Sequence, residues 1–393
     1  MPHSRLARLT LLPELALKEI VHGNALVIAK VEKTSTFEVC PKCATRTFGV
    51  YDRRVVRAKD SPLRSKLVIL EIVKRRFWCR GCKKPFTEPI EGISKGQRCT
   101  RRYRRHLLWA CENFTDLKRV KQHMRCSYGF LYTTLYEQLE LQSRKRIYPW
   151  PKNIGLDEHR FKRHPEKGFP IFASIVVDHV NKRVFDLVEG RSNDELNAAL
   201  HQIPGRQNVK AITIDLSSSY RSFVRGFFPE AHIIADKFHV VRLLNADLNR
   251  ERKLVAGDRR GNPIGRLLLK NSRNLDFFQR SAVYRWLEDH PDLREIYHAK
   301  EGLHGLYRVR GYNRACKAYT AFTDRLGQSP VAAVKRLRRT LIFWRTEILE
   351  YFRTPLTNGR VEGFNGKAKL IKRKAYGYRS FKNYRLRVLN DCT

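Results

Sequence analysis

NIGLDEHRFKR, residues 153–163, reads as a strand, and the segments that follow it decide the fold. PIFASIVVDH (170–179) is a strongly apolar strand and KRVFDLVEG (182–190) is another. SNDELNAALHQI (192–203) opens on a good N-cap at Ser192 or Asn193 with acids in its first turn, which predicts a helix. VKAITIDL (209–216) is a buried strand, and SSSYRSFVRGFFP (217–229) is a helix stopped by Pro229. AHIIADKFHVVRLLN (231–245) passes from strand into helix.

The order β-β-β-α-β-α-β-α is that of a ribonuclease H-like core. Three of its strands end near acids: Asp157, Asp215 and Asp236. If the first and fourth strands pair, Asp157 and Asp215 lie side by side. Phosphoryl transfer on a nucleic acid needs such carboxylates. Hard divalent ions take oxygen ligands, and two of them, about 3.5–4 Å apart, clamp the attacking and leaving oxygens. Other readings stand beside this one. Asp157 and Glu158 could form a strand-end turn, Asp215 could cap the helix starting at Ser217, and Asp236 could do the same before Phe238.

The chain carries 79 basic and 38 acidic residues in 393, a formal charge of +41. An enzyme of small metabolites has no use for such a field, which repels itself in the compact state and attracts polyanions. The cations run along the whole length, so the leading expected partner is nucleic acid, double-stranded DNA once the resemblance below is added, over an extended surface. An anionic membrane surface is the alternative, but no amphipathic basic helix is set apart for it. No apolar run approaches a transmembrane span. At the N-terminus, Pro13 and Glu14 interrupt the apolar run and no small-residue cleavage site follows, so a cytoplasmic protein is expected, without a membrane partner.

Residues 1–20 suggest a short helical lead-in, and residues 25–39 suggest strands. CPKC (Cys40, Cys43) and WCRGCKKPF (Cys79, Cys82) form two knuckles with 35 residues between Cys43 and Cys79. VYDRRVVRAKD (50–60) and KLVILEIVKRRFW (66–78) between them read as strands joined at Ser61-Pro62, a hairpin able to span the gap. Four thiolates close a tetrahedral site with no open position, so one structural zinc in a zinc-ribbon-like domain over 1–98 is expected. A redox dithiol lacks its βαβ context.

Residues 99–142 read as three helices with a cap at Thr115, a helix-turn-helix DNA-binding domain. SRKRIYPWPK (143–152) is a basic linker. The first part of the core spans 153–247, and 248–350 is a basic helical segment with a turn at GDRRGNP (257–263), too long for a loop and so an all-helical insertion. The core's C-terminal part spans 351–393. There NGRVEGFNGKAKLIKRKAYGY (358–378) predicts a helix with Glu362, Asn365, Lys369 and Arg373 on one face and Val361, Phe364, Ala368 and Ile371 on another. Gly363 and Gly366 weigh against that helix. A surface helix whose lone acid sits among solvated cations is the plainer alternative. The whole is a multidomain α/β chain.

GLDE (155–158), TIDLSSSY (213–220), IADKFHVV (234–241) and the 358–378 stretch together resemble the DDE transposases of bacterial insertion sequences, specifically the ISL-three family. The resemblance spans nearly the whole chain. It implies a transposase that binds the terminal inverted repeats of its element, cuts, and transfers the freed 3′-OH to target DNA. It implies Asp157, Asp215 and Glu362 as the catalytic triad and the ligands of a Mg²⁺ or Mn²⁺ pair. Asp236 falls in a family motif outside the triad, and His239 packs or contacts DNA. Arg360, Asn365, Lys367, Lys369, Lys372, Arg373 and Lys374 are then expected to hold the phosphate backbone. Synapsis of two ends implies self-association on DNA and association with the nucleoid. A DNA-binding regulator with an inactive core, and a structure-specific nuclease on the same fold, are the alternatives.

Overall fold

The computed structural model of the chain describes residues 12–114, 116–145, 148–256 and 263–392. They divide into two compact units, one up to Leu141 and one from Gln142. Among the described residues no helix is long and apolar enough to cross a membrane.

The first unit is built on a sheet. Strand β1 (Leu15–His22) pairs antiparallel with β2 (Leu26–Lys33). A small ribbon follows, β3 (Glu38–Val39) with β4 (Arg46–Thr47). The long hairpin of β5 (Val50–Leu63) and β6 (Lys66–Cys79) comes next, with β6 parallel to β2 and antiparallel to β7 (Lys84–Thr87). The expected helical lead-in is therefore wrong from Leu15 on, and its first eleven residues lie outside the described part. The opposite charges of Lys18 with Glu32 and of Lys30 with Glu19 face one another across β1 and β2, the kind of cross-strand pairing that outweighs helix propensity. The turn of the long hairpin also moves. It is made by Arg64 and Ser65, both left-handed (φ 47° and 64°), a two-residue connection that matches strand twist. Pro62 sits where the register of edge strand β5 slips between Asp60 and Leu63, a place where a missing N–H is tolerated.

Three helices complete this unit: α1 (Arg101–Asn113), α2 (Leu117–Met124) and α3 (Tyr128–Arg144). Thr100 caps α1 by accepting from the Tyr103 N–H. The cap expected at Thr115 falls outside the described residues, and Asp116 caps α2 by accepting from the Arg119 N–H. Buried Asp60 of β5 accepts from Thr100 Oγ1 (2.6 Å) and Arg102 Nε (2.7 Å), which fastens the helices to the sheet.

The second unit holds a five-stranded sheet. Strands β8 (Asn153–Arg163), β9 (Pro170–Asp178) and β10 (Arg183–Glu189) form an antiparallel meander. After helix α4 (Asn193–Leu200), strand β11 (Ala211–Ile214) runs parallel to β8. Helix α5 (Ser218–Phe227) leads to β12 (His232–Ala235), parallel to β11, so the spatial order is β10-β9-β8-β11-β12. Ser192 starts α4 with a full capping box to Glu195, and Ser217 caps α5.

Burial alternates with the two-residue period of strands. Ile154, Leu156, Val176, Ile212 and Ile214 join Leu196, Leu200 and Tyr220 on one side of the sheet. Phe161, Ile175, Val177 and Leu187 join Val361, Ala368, Tyr384 and Val388 on the other. The expected linker contributes to the first of these layers: Trp150 is buried against Phe185, Phe227 and Phe228.

Helices α6 (Lys237–Val241), α7 (Asn245–Ala256), α8 (Pro263–Leu269), α9 (Phe277–Glu288), α10 (Pro291–Leu306), α11 (Tyr312–Gly327), α12 (Ala332–Phe343) and α13 (Arg345–Glu350) follow β12. The turn expected at 257–263 lies, up to Asn262, outside the described residues. Buried Glu347 of α13 pairs with Arg221 (2.7 Å) and Arg225 (3.1 Å) of α5, which returns the chain to the sheet. Helix α14 (Gly359–Lys374) then covers the second face together with α15 (Phe381–Asp391). Helix α14 forms through both Gly363 and Gly366. Glu362 in its first turn and Lys372, Arg373 and Lys374 in its last complement the helix dipole.

Candidate functional site

The parallel register of β8 and β11 sets the site. Ala211 pairs with Asn153, Ile212 with Ile154 and Thr213 with Gly155. Continued two residues past the paired segment, that register brings Asp215 level with Asp157. By the strand period both project to the face that α14 covers. Asp157 is not at a strand end as expected: β8 continues to Arg163, so it lies mid-strand. Asp215 is not a helix cap, since Ser217 fills that role.

The close approach of α14 depends on Gly155. A Cβ there would meet Val361 Cγ2 at 2.5 Å, His179 Nε2 at 2.7 Å and Thr213 Oγ1 at 2.9 Å. His179 bonds Thr213 Oγ1 through Nε2 (2.9 Å), and burial pushes its pKa down to about 4.

Two asparagines on α14 and its N-cap reach the two aspartates. Asn358, fully buried, receives the Thr213 hydroxyl on Oδ1. Its Nδ2 donates to the Leu156 carbonyl (3.3 Å) and to Asp215 Oδ1 (3.4 Å), and its backbone N–H donates to Asp236 Oδ1 (3.0 Å). One residue thus links β8, β11 and the end of β12. Asn365, 3% exposed, donates from Nδ2 to Asp157 Oδ2 (2.6 Å). Its Oδ1 lies 2.8 Å from His159 Nδ1, and His159 Nε2 lies 2.7 Å from the Tyr384 hydroxyl. Asn365 therefore belongs with Val361 and Ala368 on the buried stripe, rather than on the cationic face with Lys369 and Arg373.

Glu362 is half-buried, four residues after Asn358 and three before Asn365. Those spacings put all three on one helix face. Among the described residues, Glu362 does not join Asp157 and Asp215 in a group whose ligand atoms all lie within 4.8 Å of one another. Such a group is formed by Asp215, Asp236 and His239. His239 Nδ1 lies 2.9 Å from Asp236 Oδ2 and 3.1 Å from Asp215 Oδ1, and Asp236 is completely buried.

Charge is held tightly here. Burial first, and then the Asp157 carboxylate beside it, pushes the Asp215 pKa up to about 7. Burial also raises that of Asp157. The hydrogen bond to Asp236 raises His239 to about 8, while burial lowers His159 to about 4. Two neighbouring carboxylates that resist ionisation together form a pair of hard oxygen donors, with His239 against one of them. A divalent cation fits that pair.

The cations expected around Glu362 divide into two kinds. Arg360 bonds the His179 carbonyl, Lys367 the Asp391 carbonyl, and Lys372 the carbonyls of Arg160 (2.5 Å) and Phe161 (3.0 Å). Lys369, Arg373 and Lys374 stand exposed. Sequence reasoning missed Asn358, His159 and Tyr384 as parts of the site. The signal it could have used is the repeat of asparagine on both sides of the acid at helical spacing.

In the first unit, Cys40, Cys43, Cys79 and Cys82 gather with all four sulfurs within 4.8 Å of one another. The Cys40–Cys82 and Cys43–Cys79 pairs are 3.9 and 3.5 Å apart, close to the ~3.8 Å of a tetrahedral zinc with ~2.3 Å bonds to sulfur. The Thr45 hydroxyl lowers Cys43 to about 6, and the bond to the Cys43 sulfur raises Cys82 to about 12. The four-cysteine cluster of a zinc ribbon supports a structural zinc.

Comparison with known proteins bears on both units. Residues 154–388 match a family described as transposase. Residues 36–82 match the zinc finger of the transposases of IS204, IS1001, IS1096 and IS1165. The chain is similar to the transposase for insertion sequence element IS1001 of Bordetella parapertussis, 29% identical over 370 residues, which cover 91% of this chain and 89% of that one. It is also similar to the transposase for insertion sequence element IS1557 of Mycobacterium tuberculosis, 26% identical over 268 residues, 58% of this chain and 57% of that one.

Proposed function

The chain belongs to the ISL-three family of transposases, and from that premise we propose that it binds the terminal inverted repeats of an insertion sequence, cuts the DNA there and joins the freed end to a target. Asp157, Asp215 and Glu362 are its catalytic acids. The observation that carries this reading is the parallel register of β8 and β11, paired up to two residues before Asp157 and Asp215, together with a helix that reaches each aspartate through one asparagine and bears Glu362 between those asparagines in sequence. The strand order, with a three-stranded meander followed by two parallel strands on its far side, supports a ribonuclease H-like core. The all-helical stretch from α7 to α13 is then an insertion before the last acid.

The three carboxylates would hold Mg²⁺ or Mn²⁺. When bound, those ions supply neutralisation of the scissile phosphate and a lower barrier to activating the attacking oxygen. The chain's own groups do the rest. Asn358 and Asn365 fix the two aspartates. Asp236 and His239 sit against Asp215 on the side away from β8. Exposed Lys369, Arg373 and Lys374 hold the DNA backbone near the cut. Water attacks the phosphodiester at the element end and leaves a 3′-OH, and that hydroxyl attacks a target phosphodiester in line. Neither step needs a covalent bond to protein. The three helices α1–α3 are read as a helix-turn-helix that recognises the repeat. Self-association on DNA and a place in the cytoplasm on the nucleoid follow from the reaction.

The test is a cleavage and strand-transfer assay on duplexes bearing the element's inverted repeats, with Mg²⁺ or Mn²⁺. The parent cuts and joins. Asp215→Asn and Glu362→Gln bind the duplex and do neither. If either variant cuts as fast as the parent, the assignment is wrong.

A further inference from the structure

We infer that Tyr384, His159 and Asn365 form a one-way hydrogen-bond relay that positions Asp157 as a metal ligand, which makes helix α15 part of the metal site. The inference rests on the proposed catalytic role of Asp157. Its direction follows from donor chemistry with His159 as the neutral imidazole. A carboxylate only accepts, so the Asn365 amide nitrogen must face Asp157 Oδ2, at 2.6 Å. The Asn365 carbonyl oxygen therefore faces His159 Nδ1, at 2.8 Å, and that nitrogen must carry the proton. His159 Nε2 is then an acceptor, and the Tyr384 hydroxyl donates to it at 2.7 Å. Every donor in the relay points toward Asp157.

The other end of the carboxylate is fixed as well, since Asp157 Oδ1 accepts from the Glu158 N–H at 2.7 Å. Two donors from opposite ends leave the carboxylate one orientation, and the lone pairs still open on its oxygens are those a cation can take. Packing alone does not call for this arrangement. His159, Asn365 and Tyr384 are all buried among Phe161, Val361 and Ala368, where apolar side chains of the same volume would avoid the cost of burying polar atoms. Tyr384 already has an apolar role there, with its ring against Phe161 at 5.2 Å. Its hydroxyl is the part that packing does not use. Outer partners of metal ligands commonly set affinity by ~10–100-fold.

The test uses the full-length protein with its zinc site loaded. Mn²⁺ binding is followed by calorimetry and by electron paramagnetic resonance, alongside thermal unfolding. Tyr384→Phe removes one oxygen, three hydrogen bonds away from Asp157. It should bind Mn²⁺ ~10-fold more weakly than the parent, with its folded transition kept, and its cleavage rate should recover as Mn²⁺ is raised. A purely structural hydroxyl would lower the unfolding temperature and leave Mn²⁺ affinity unchanged, and that result overturns the relay. Asn365→Leu, of similar volume, decides by the same readouts if Tyr384→Phe does not fold. If neither folds, the three residues are packing elements and the relay is overturned. Asp157→Asn separates the two levels. Loss of Mn²⁺ in Asp157→Asn with normal binding in Tyr384→Phe defeats the relay alone, whereas parental binding in Asp157→Asn defeats the catalytic reading beneath it.

Discussion

The cysteine cluster and the carboxylate site solve one problem in opposite ways. Each gathers side chains that are distant in sequence. The cysteines come as two local pairs, Cys40 with Cys43 and Cys79 with Cys82, and one hairpin, β5–β6, brings the pairs together. Four soft thiolates close on themselves and ask little of their surroundings. The proposed catalytic carboxylates come singly, from β8, from the end of β11 and from α14, and no two share an element. Each aspartate is held by neighbouring side chains: Asp157 by Asn365, Asp215 by Asn358 and His239. A closed site carries its stability in its ligands. An open one, which must admit a substrate, carries it in the residues behind them.

Removing the metal from the closed site should have the largest effect. Structural zinc in small domains is worth ~10–16 kcal/mol of apparent binding energy, most of it folding energy. Chelation, or Cys79→Ser, should abolish the folded transition of the first unit, as followed by calorimetry with zinc counted by atomic absorption. A first unit that melts normally without zinc would erase the contrast between the two sites.

The open site should respond in the opposite sense. Asp215→Asn should lower cleavage by roughly a thousandfold or more, the scale of losing an electrostatic catalytic group, yet stabilise the metal-free fold. The sign follows from linkage. The Asp215 pKa is raised in the folded state to about 7, so its contribution to stability is complete below the unfolded carboxylate pKa and is lost as pH rises toward 7. Asparagine cannot ionise, so at pH 7.5 the variant should unfold at a higher temperature by the equivalent of about 2 kcal/mol. Added Mn²⁺ should stabilise the parent and not the variant. A destabilised Asp215→Asn would mean that the carboxylates are not in conflict.

These differences also set what the sequence could reveal. Paired CxxC knuckles announce their ligands by spacing alone, and Asp215 announces itself as an acid closing an apolar strand. The strand order is legible because SNDE and SSSY carry their own caps at Ser192 and Ser217. The positioning groups are not legible, because their partners are fixed only by tertiary register. Asn365 stands in a helix that, by composition, looks like a cationic surface, and only the docking of α14 on β8 turns it inward. Strand β1 was obscured for a related reason: LALKEIVH (15–22) suits a helix until Lys30 and Glu32 of β2 are opposite it.

That docking can be tested at Gly155. An added methyl would press on Val361 at 2.5 Å, so Gly155→Ala should cost about 2–3 kcal/mol of stability in urea unfolding and slow cleavage by displacing α14. Val361→Ala in the same chain should restore part of both, which two independent defects would not do. Additive losses would show that the helix is held elsewhere.

His179 tests the same interface by pH. Its folded pKa, about 4, lies below the ordinary value of 6.5, so the unfolded chain takes up the proton first and stability falls as pH drops from about 6.5 toward 4. His179→Gln should flatten that part of the stability profile relative to the parent, by an amount on the order of 1 kcal/mol after allowing for partial solvent access. An unchanged slope would place the acid sensitivity in other groups.

The smallest effects should come from the cations, and they separate the two kinds seen on α14. Lys369 and Arg373 are exposed, so exchanging either for Gln should leave unfolding unchanged and weaken DNA binding evenly across sequences. The dependence of log affinity on log salt should then fall by about one unit for each phosphate that no longer has its cation. Lys372 differs, because its ammonium already donates to the carbonyls of Arg160 and Phe161. Lys372→Gln should therefore cost stability, within about 1 kcal/mol, and leave the salt dependence nearly as it was. If Lys372 changed the salt slope and Lys369 did not, the backbone bonds would be the tether that DNA displaces, and the inner cations rather than the outer ones would line its path.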